Sequence, residues 1–244
     1  MKKEKIYGIE VSITDYNLLR ESVIYDIKKN KKSTVIAINP EKIMKSRDDY
    51  ELKKILNEAT YKIPDGVGVV LASKIKKGKI NNRITGVDSM EMLCELSDEK
   101  GYKIFMYGAK KEVLVQAKIN LKKKYKNINI VGAIDGYQQD SLLVVKKINE
   151  KKPNILFVAL GSPKQEFWIS EHLSKLNVNI IQGVGGSFDV ISGNVKRAPK
   201  FMQKAGLEWL YRLFKEPKRI FRQFKLIKFI FLVFFRKEDT KYEN

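Results

Sequence analysis

Residues 154–169 read NILFVALGSPKQEFWI and contain one complete strand-to-helix step. The run 154–160 is apolar without alternation, which is typical of a strand buried on both faces. Gly161 ends this run, and Ser162-Pro163 opens a helical stretch, because proline is suited to the first helical turn. A strand followed at once by a helix predicts a parallel sheet that is covered by helices.

The same alternation recurs through residues 1–195. Six runs predict strands: 6–13, 33–38, 102–107, 128–133, 154–160 and 179–184. Helical stretches lie between them, including 15–30, 110–125 and 138–152. We therefore expect an α/β domain over 1–195, with a mostly parallel, Rossmann-like sheet flanked by helices. Residues 196–244 are expected to form a basic, helical, membrane-associating appendage.

The charge of the chain supports a separate role for this appendage. The net charge is +20, and residues 196–237 carry 13 basic and two acidic residues. Such an excess indicates a polyanionic partner, which is a nucleic acid, a phosphorylated substrate or an anionic membrane. Two side-chain rows run along the appendage: Arg219, Arg222, Lys225 and Lys228, beside Phe221, Phe224, Ile227 and Phe231. These rows are typical of a helix in a membrane interface, although a core-packing helix with a solvated basic face would show them too.

Several classes of protein are disfavoured by composition. The single histidine, His172, argues against zinc sites and Ser-His-Asp triads. The single cysteine, Cys94, is expected to be a core thiol, and it favours a reducing compartment. Neither a dinucleotide fingerprint nor a P-loop is present, since GVGGSF places Phe188 at the third glycine position. With no signal-peptide pattern and no run of about 20 apolar residues, we expect a cytoplasmic protein.

Candidate binding residues follow the predicted strands, where ligands of open α/β sheets bind. Gly108 follows one strand, and Gly185 and Gly186 follow another. Together with Lys196 and Arg197, the second pair suits a diphosphate held by amide groups and cations, although turn glycines beside a basic surface remain an alternative.

Helix starts supply further candidates. Gln165 and Glu166 fall in the first turn after Pro163, facing the region beyond the sheet, although an acid there also offsets the helix dipole. Asp88 or Ser89 is expected to cap the helix that follows RITG, and Arg83 is a candidate anion ligand.

The stretch IPDGVGVV (63–70) places Asp65 at the mouth of an apolar run. From the residues alone, Asp65 is a turn residue, a metal ligand or a catalytic base. A carboxylate at a partly desolvated rim suits a base, because burial raises its pKa toward the working pH.

Eight segments in order resemble the WecG/TagA/CpsF family of bacterial glycosyltransferases. They are NPE (39–41), IPDGVGVV (63–70), RITGVDSMEML (83–93), YGAKKEV (107–113), GAIDGY (132–137), LGSPKQEFWI (160–169), GVGGSFDVISGNVKRAP (183–199) and LEWLYRLFKEPKR (207–219). The sequences of these segments are most similar to those of the TagA branch, which transfers N-acetylmannosamine from UDP-ManNAc to undecaprenyl-diphosphate-linked GlcNAc in wall teichoic acid synthesis.

The resemblance implies an inverting transferase that uses no metal or other cofactor and attaches peripherally to the inner face of the cell membrane. It places the base at Asp65, with Asn39, Arg83 and Gln165 as neighbours of the sugar and phosphate groups. It also implies that three arginines of the appendage close the site on a diphosphate: Arg212, Arg219 and Arg222.

One position departs from the family pattern. Family members usually carry threonine where this chain has Ala37. If that hydroxyl orients substrate, this chain is a weak enzyme, and a membrane-bound UDP-sugar-binding scaffold is the alternative. A basic nucleic-acid-binding protein explains the charge but not the glycine-rich strand ends. The apolar residues around 207–214 also leave open a homo-oligomer away from the membrane.

Overall fold

The computed structural model describes residues 1–204, 206–215 and 220–235 of the chain. The strands of this part are β1 (Lys3–Ile6), β2 (Ile9–Ser12), β3 (Ser33–Ile38), β4 (Tyr61–Pro64), β5 (Lys103–Gly108), β6 (Asn129–Ile134), β7 (Ile155–Ala159) and β8 (Ile180–Gly183). The helices are α1 (Tyr16–Lys28), α2 (Pro40–Asp48), α3 (Tyr50–Glu58), α4 (Val67–Ile75), α5 (Gly86–Lys100), α6 (Lys111–Lys124), α7 (Ser141–Glu150), α8 (Lys164–His172), α9 (Ser187–Ser192), α10 (Lys200–Lys204), α11 (Glu208–Lys215) and α12 (Ile220–Phe235).

A parallel sheet with helices on both faces forms the body of the protein, which confirms the predicted α/β class. In the described part of the chain, six strands form this sheet in the order β4-β3-β8-β7-β5-β6. All of the neighbouring strands pair in parallel. Every residue of β3 and β7 is buried, as the unbroken apolar runs predicted.

One strand prediction was wrong, and one strand was missed. Residues 6–13 do not form one strand, because Tyr7 and Gly8 have φ values of 48° and 80° and turn the chain into the β1–β2 hairpin. Positive φ at both central residues matches the twist of a two-residue hairpin, and glycine adopts it without strain. The strand β4 was missed because Lys62 interrupts its apolar pattern. The ammonium of Lys62 is fully buried and donates to the carbonyls of Asn57 and Ala59.

The structure confirms that Cys94 is a core thiol. Cys94 lies fully buried in the cluster between the sheet and α5, and burial raises the pKa of its thiol. A buried thiol of this kind is a core residue, because the reactive thiolate form is disfavoured.

The C-terminal helix α12 packs against α2 and α4 through one apolar face. Phe229 is fully buried, and Leu232 and Val233 are nearly so. The Tyr7 hydroxyl donates to the Leu232 carbonyl at 2.8 Å, and the Tyr7 and Phe229 rings meet edge to face at 5.8 Å. A Cβ at Gly68 would lie 2.7 Å from Pro40 Cγ, so glycine is required for this close packing.

The outer side of α12 is apolar as well. Ile227 and Phe231 are each about 60% exposed, and Phe234 and Phe235 are exposed beside them. The core-packing alternative therefore holds for one face of α12, whereas the other face has no cover within the described residues. No helix in the described ranges has the length and apolar character that crossing a membrane requires.

Candidate active site

A cavity of about 550 Å³ opens beyond the carboxyl ends of the strands β3, β4, β7 and β8. The chain leaves β3 toward β4 at one edge of the sheet, whereas β7 and β8 lie on the other side of β3. Such a reversal of direction leaves a crevice at the strand ends, which is where open α/β sheets bind ligands. The cavity collects polar groups from each of these strand ends.

Asp65 lies at the wall of this cavity directly after β4. Its backbone N–H donates to the Ile38 carbonyl at 2.8 Å, which fixes the residue beside the end of β3. The turn itself is made by Gly66, whose φ of +91° favours glycine, and Gly66 caps α4 without a side-chain hydrogen bond. Asp65 is thus needed neither as the turn residue nor as the helix cap, and its half-buried carboxylate borders the cavity.

Asn39 and Arg83, two of the candidate binding residues, also line the cavity. Asn39 caps α2, because its Oδ1 accepts the Lys42 backbone N–H at 2.9 Å. The positive end of the α2 dipole therefore faces the cavity. Arg83 is half-buried and makes no hydrogen bond or ion pair with the described residues, so its guanidinium is available to an anion.

Gln165 forms part of the floor, held by its neighbours. Its Oε1 accepts the Gly185 N–H at 2.9 Å, and its Nε2 donates to Glu166 Oε1 at 2.9 Å. A Cβ at Gly183 would lie 2.8 Å from Gln165 Nε2, so glycine at the end of β8 makes room for this amide. The candidate binding residues Gly185 and Gly186 border the cavity too.

Glu166 is fully buried, does not line the cavity, and forms an ion pair with Lys42. The Lys42 Nζ and Glu166 Oε1 atoms are 2.8 Å apart. Burial alone would raise the pKa of Glu166, but the Lys42 ammonium and the Gln165 amide hold it below its usual range. The pair therefore stabilises the fold above the ordinary carboxyl pKa, and this stabilisation is lost as the pH falls toward the lowered value.

The structure places three other predicted residues away from the cavity wall. Gly108 packs on the Ala159 carbonyl, where a Cβ would lie 2.4 Å from the oxygen, and Ala109 borders the cavity instead. Lys196 is exposed and Arg197 is half-buried, and neither lines the cavity.

Arg197 forms an ion pair with Asp88, which the sequence assigned to the helix cap. Thr85 caps α5 instead, so the expectation of Asp88 or Ser89 was wrong. A threonine cap leaves the Asp88 carboxylate available to the guanidinium. Burial would raise the pKa of Asp88, but Arg197 and the Thr85 hydroxyl keep it below its usual range.

The C-terminal segment completes the wall of the cavity. Gly206, Glu208, Trp209 and Leu226 all border it. Arg212 and Arg222 lie in α11 and α12, and Arg219 lies outside the described residues.

Sequence reasoning missed Lys42 and Trp209 as cavity residues. Lys42 had one usable signal, because it follows the NPE motif in the first turn of a helix that starts at a strand end. Trp209 had no such signal, since only the packing of α11 and α12 brings it to the cavity. Ala37, at the end of β3, borders the cavity as well. Within the described residues, no cluster of three His, Cys, Asp or Glu side chains could hold a metal ion.

Comparison with known proteins gives a consistent result. A sequence model described as the glycosyl transferase WecG/TagA/CpsF family matches residues 4–243. The chain is 37% identical over 209 residues to the N-acetylglucosaminyldiphosphoundecaprenol N-acetyl-beta-D-mannosaminyltransferase of Bacillus subtilis, covering 86% of this chain and 82% of that protein. A protein of the same name from Bacillus spizizenii is 37% identical over 204 residues, covering 84% of this chain and 79% of the relative.

Proposed function

The chain belongs to the WecG/TagA/CpsF glycosyl transferase family, as its ordered segments predicted, and we propose that it transfers N-acetylmannosamine from UDP-ManNAc to undecaprenyl-diphosphate-linked GlcNAc. The names of the two Bacillus relatives support this acceptor and this sugar. The observation that carries the proposal is that one cavity at the strand ends is lined both by Asp65 and by Arg83, whose side chain has no partner within the described residues.

We propose an inverting, single displacement at this cavity. The acceptor hydroxyl oxygen attacks the anomeric carbon as the bond from that carbon to the diphosphate oxygen breaks. Asp65 takes the hydroxyl proton, which makes the attacking oxygen a better nucleophile. The electron pair of the broken bond leaves with UDP, and Arg83 and the positive end of the α2 dipole would stabilise the added negative charge.

We propose that the reaction needs no metal ion. Fixed cationic and amide groups can stabilise a leaving diphosphate in place of a divalent cation, provided that they are oriented before the reaction. The guanidinium of Arg83 would supply the positive charge, and the N-terminus of α2 would supply a helix dipole that the fold orients in advance.

A transfer assay tests the reaction as a whole. UDP release from UDP-ManNAc is measured with a soluble GlcNAc-diphosphate-lipid analogue in the presence of EDTA. We expect release that depends on the acceptor and continues in EDTA. Release that ceases in EDTA and returns with added magnesium would contradict metal independence, and no release from several UDP-sugars would contradict the proposed function.

We also propose that the protein attaches peripherally to the inner face of the cell membrane through the outer face of α12. Ile227, Phe231, Phe234 and Phe235 present an exposed apolar surface, and Lys228 is exposed on the same helix. A helix with bulky apolar and basic side chains is suited to an anionic lipid surface. A lipid-linked acceptor would then lie at the same surface as the cavity wall.

The membrane proposal predicts that Phe231→Ser with Phe234→Ser weakens binding to phosphatidylglycerol vesicles by at least about tenfold. Each phenylalanine that enters the lipid contributes about 1.5–3 kcal/mol, and 1.4 kcal/mol corresponds to tenfold. Vesicle co-sedimentation measures the effect. Both side chains are about 60% exposed, so the melting temperature should hold.

Tyr50→Ser is the matched control, because Tyr50 is 83% exposed and lies on α3. We expect this variant to bind vesicles as the unaltered chain does. Equal vesicle binding by the double phenylalanine variant would exclude this face as the membrane contact.

A further inference from the structure

Lys42 lies at the cavity wall with donor capacity that the described residues do not use. The residue is 5% exposed and lines the cavity. An ammonium group carries three N–H donors. Within the described residues, Glu166 Oε1 is the one acceptor that it reaches. Buried donors without a partner are costly, especially on a charged group. The remaining donors of Lys42 are therefore suited to a ligand in the cavity.

The pairing with Glu166 determines which kind of ligand group fits. Lys42 and Glu166 together carry no net charge, and Glu166 Oε2 is buried without a hydrogen-bond partner among the described residues. A phosphate placed on Lys42 would lie near this carboxylate and would be repelled by it. A neutral oxygen, such as a sugar hydroxyl or an acetamido carbonyl, accepts from the ammonium without that repulsion. Arg83, which has no such carboxylate partner in the part of the chain that the structure describes, is the better diphosphate ligand.

Glu166 is in turn fixed by a chain of hydrogen bonds. Gln165 Nε2 donates to Glu166 Oε1, and Gln165 Oε1 accepts from the Gly185 N–H. This chain joins α2 to α8 and to the glycine turn after β8. Glu166 holds the ammonium of Lys42 in one place and does not itself border the cavity.

We propose that Lys42 is a specificity-determining residue that donates a hydrogen bond to a neutral oxygen of a sugar, such as a hydroxyl or an acetamido carbonyl. Glu166 is its positioning residue. This inference rests on the proposed function, since it assumes that a sugar nucleotide and a sugar acceptor occupy the cavity. The sugar oxygen belongs either to the donor or to the acceptor, and the two sources are separated by the test. A site with a buried donor strongly disfavours ligands that leave the donor unpaired.

The test uses the full-length chain with Lys42→Met and Glu166→Gln combined. Replacing both partners of a buried ion pair by neutral groups of similar size is tolerated, whereas Lys42→Met alone leaves a buried, unpaired carboxylate. The double variant therefore keeps the fold, which its melting temperature checks. Lys124→Met with Glu91→Gln is the control, because it makes the same two replacements in a more exposed ion pair, 2.9 Å apart, that lies away from the cavity.

Calorimetry measures the affinities of UDP and of a panel of UDP-sugars, and the transfer assay gives KM for the acceptor and kcat. We expect the double variant to bind UDP as the unaltered chain does. It should lose about 10- to 100-fold in affinity for the preferred UDP-sugar if the oxygen belongs to the donor, or the same factor in acceptor KM if it belongs to the acceptor. Glu166→Gln alone keeps the ammonium, so its loss should be smaller.

Three results would overturn the inference. Unchanged UDP-sugar affinity and unchanged acceptor KM in the double variant would make the pair structural. An equal loss of affinity for UDP itself would make Lys42 a phosphate ligand. Failure of the unaltered chain to bind UDP or any UDP-sugar would overturn the proposed function along with the inference, which separates that failure from the first two.

Discussion

Replacing Asp65 by asparagine should lower kcat for sugar transfer by about 10²- to 10⁴-fold, the range that a general base contributes. The amide has nearly the same size as the carboxylate but cannot accept the hydroxyl proton. The backbone N–H of Asp65 still donates to Ile38, and Gly66 still makes the turn, so the fold should hold. Affinity for UDP-ManNAc should change little, because the base acts on the acceptor hydroxyl.

Asp135→Asn is the matched control for this prediction. Asp135 is also followed by glycine, also comes directly after a parallel strand, and accepts the Tyr137 N–H at 2.9 Å. It does not border the cavity of about 550 Å³. We expect this variant to remain fully active. A kcat for Asp65→Asn within tenfold of the unaltered chain would exclude Asp65 as the general base.

Ending the chain after Val195 should remove transfer activity entirely. The deleted segment supplies part of the cavity wall, including Trp209 and Leu226. Residues from β3, β4, β7 and β8 remain, so UDP binding should still be measurable by calorimetry. This deletion also tests the proposed division of the chain into a catalytic domain over 1–195 and an appendage over 196–244.

The structure predicts a cost in stability for the same deletion. Phe229, Leu232 and Val233 leave the core, and burial of a large apolar side chain contributes about 1.5–3 kcal/mol. Full-length Trp209→Ala retains the α12 contacts and is expected to transfer sugar more slowly with an unchanged melting temperature. A fully active truncated chain would contradict the role of the appendage in the site.

The fold class could be predicted from the sequence, because the spacing of apolar residues depends only on residues that are close along the chain. Buried parallel strands such as β3 and β7 are apolar without alternation, and the glycines that follow them mark the strand ends. The β1–β2 hairpin and β4 were not predicted, because each contains a residue that is unusual for its place. A tyrosine with positive φ and a buried lysine both contradict the average behaviour of their residue types, and tertiary contacts stabilise each of them.

The candidate site could be predicted from the sequence only in part. The structure brings Asp65, Asn39, Arg83 and Gln165 to one cavity, and the role proposed for Asp65 came from the family resemblance and not from its neighbours. Arg197 was expected at the same place, because a basic residue after glycines resembles an anion site. Its pairing with Asp88 depends on two segments that are 109 residues apart.

The sequence by itself determined the strand–helix order, the apolar and basic character of the C-terminal segment, and membership of the family. Each of these depends on residues that are neighbours along the chain or on an ordered series of motifs. The tertiary structure alone decided that Lys42 meets Glu166, that Arg197 meets Asp88, and that one face of α12 is buried while the other is exposed. The partners of these charged and apolar side chains are distant along the chain. The free energy of burial depends on which segments the fold brings into contact.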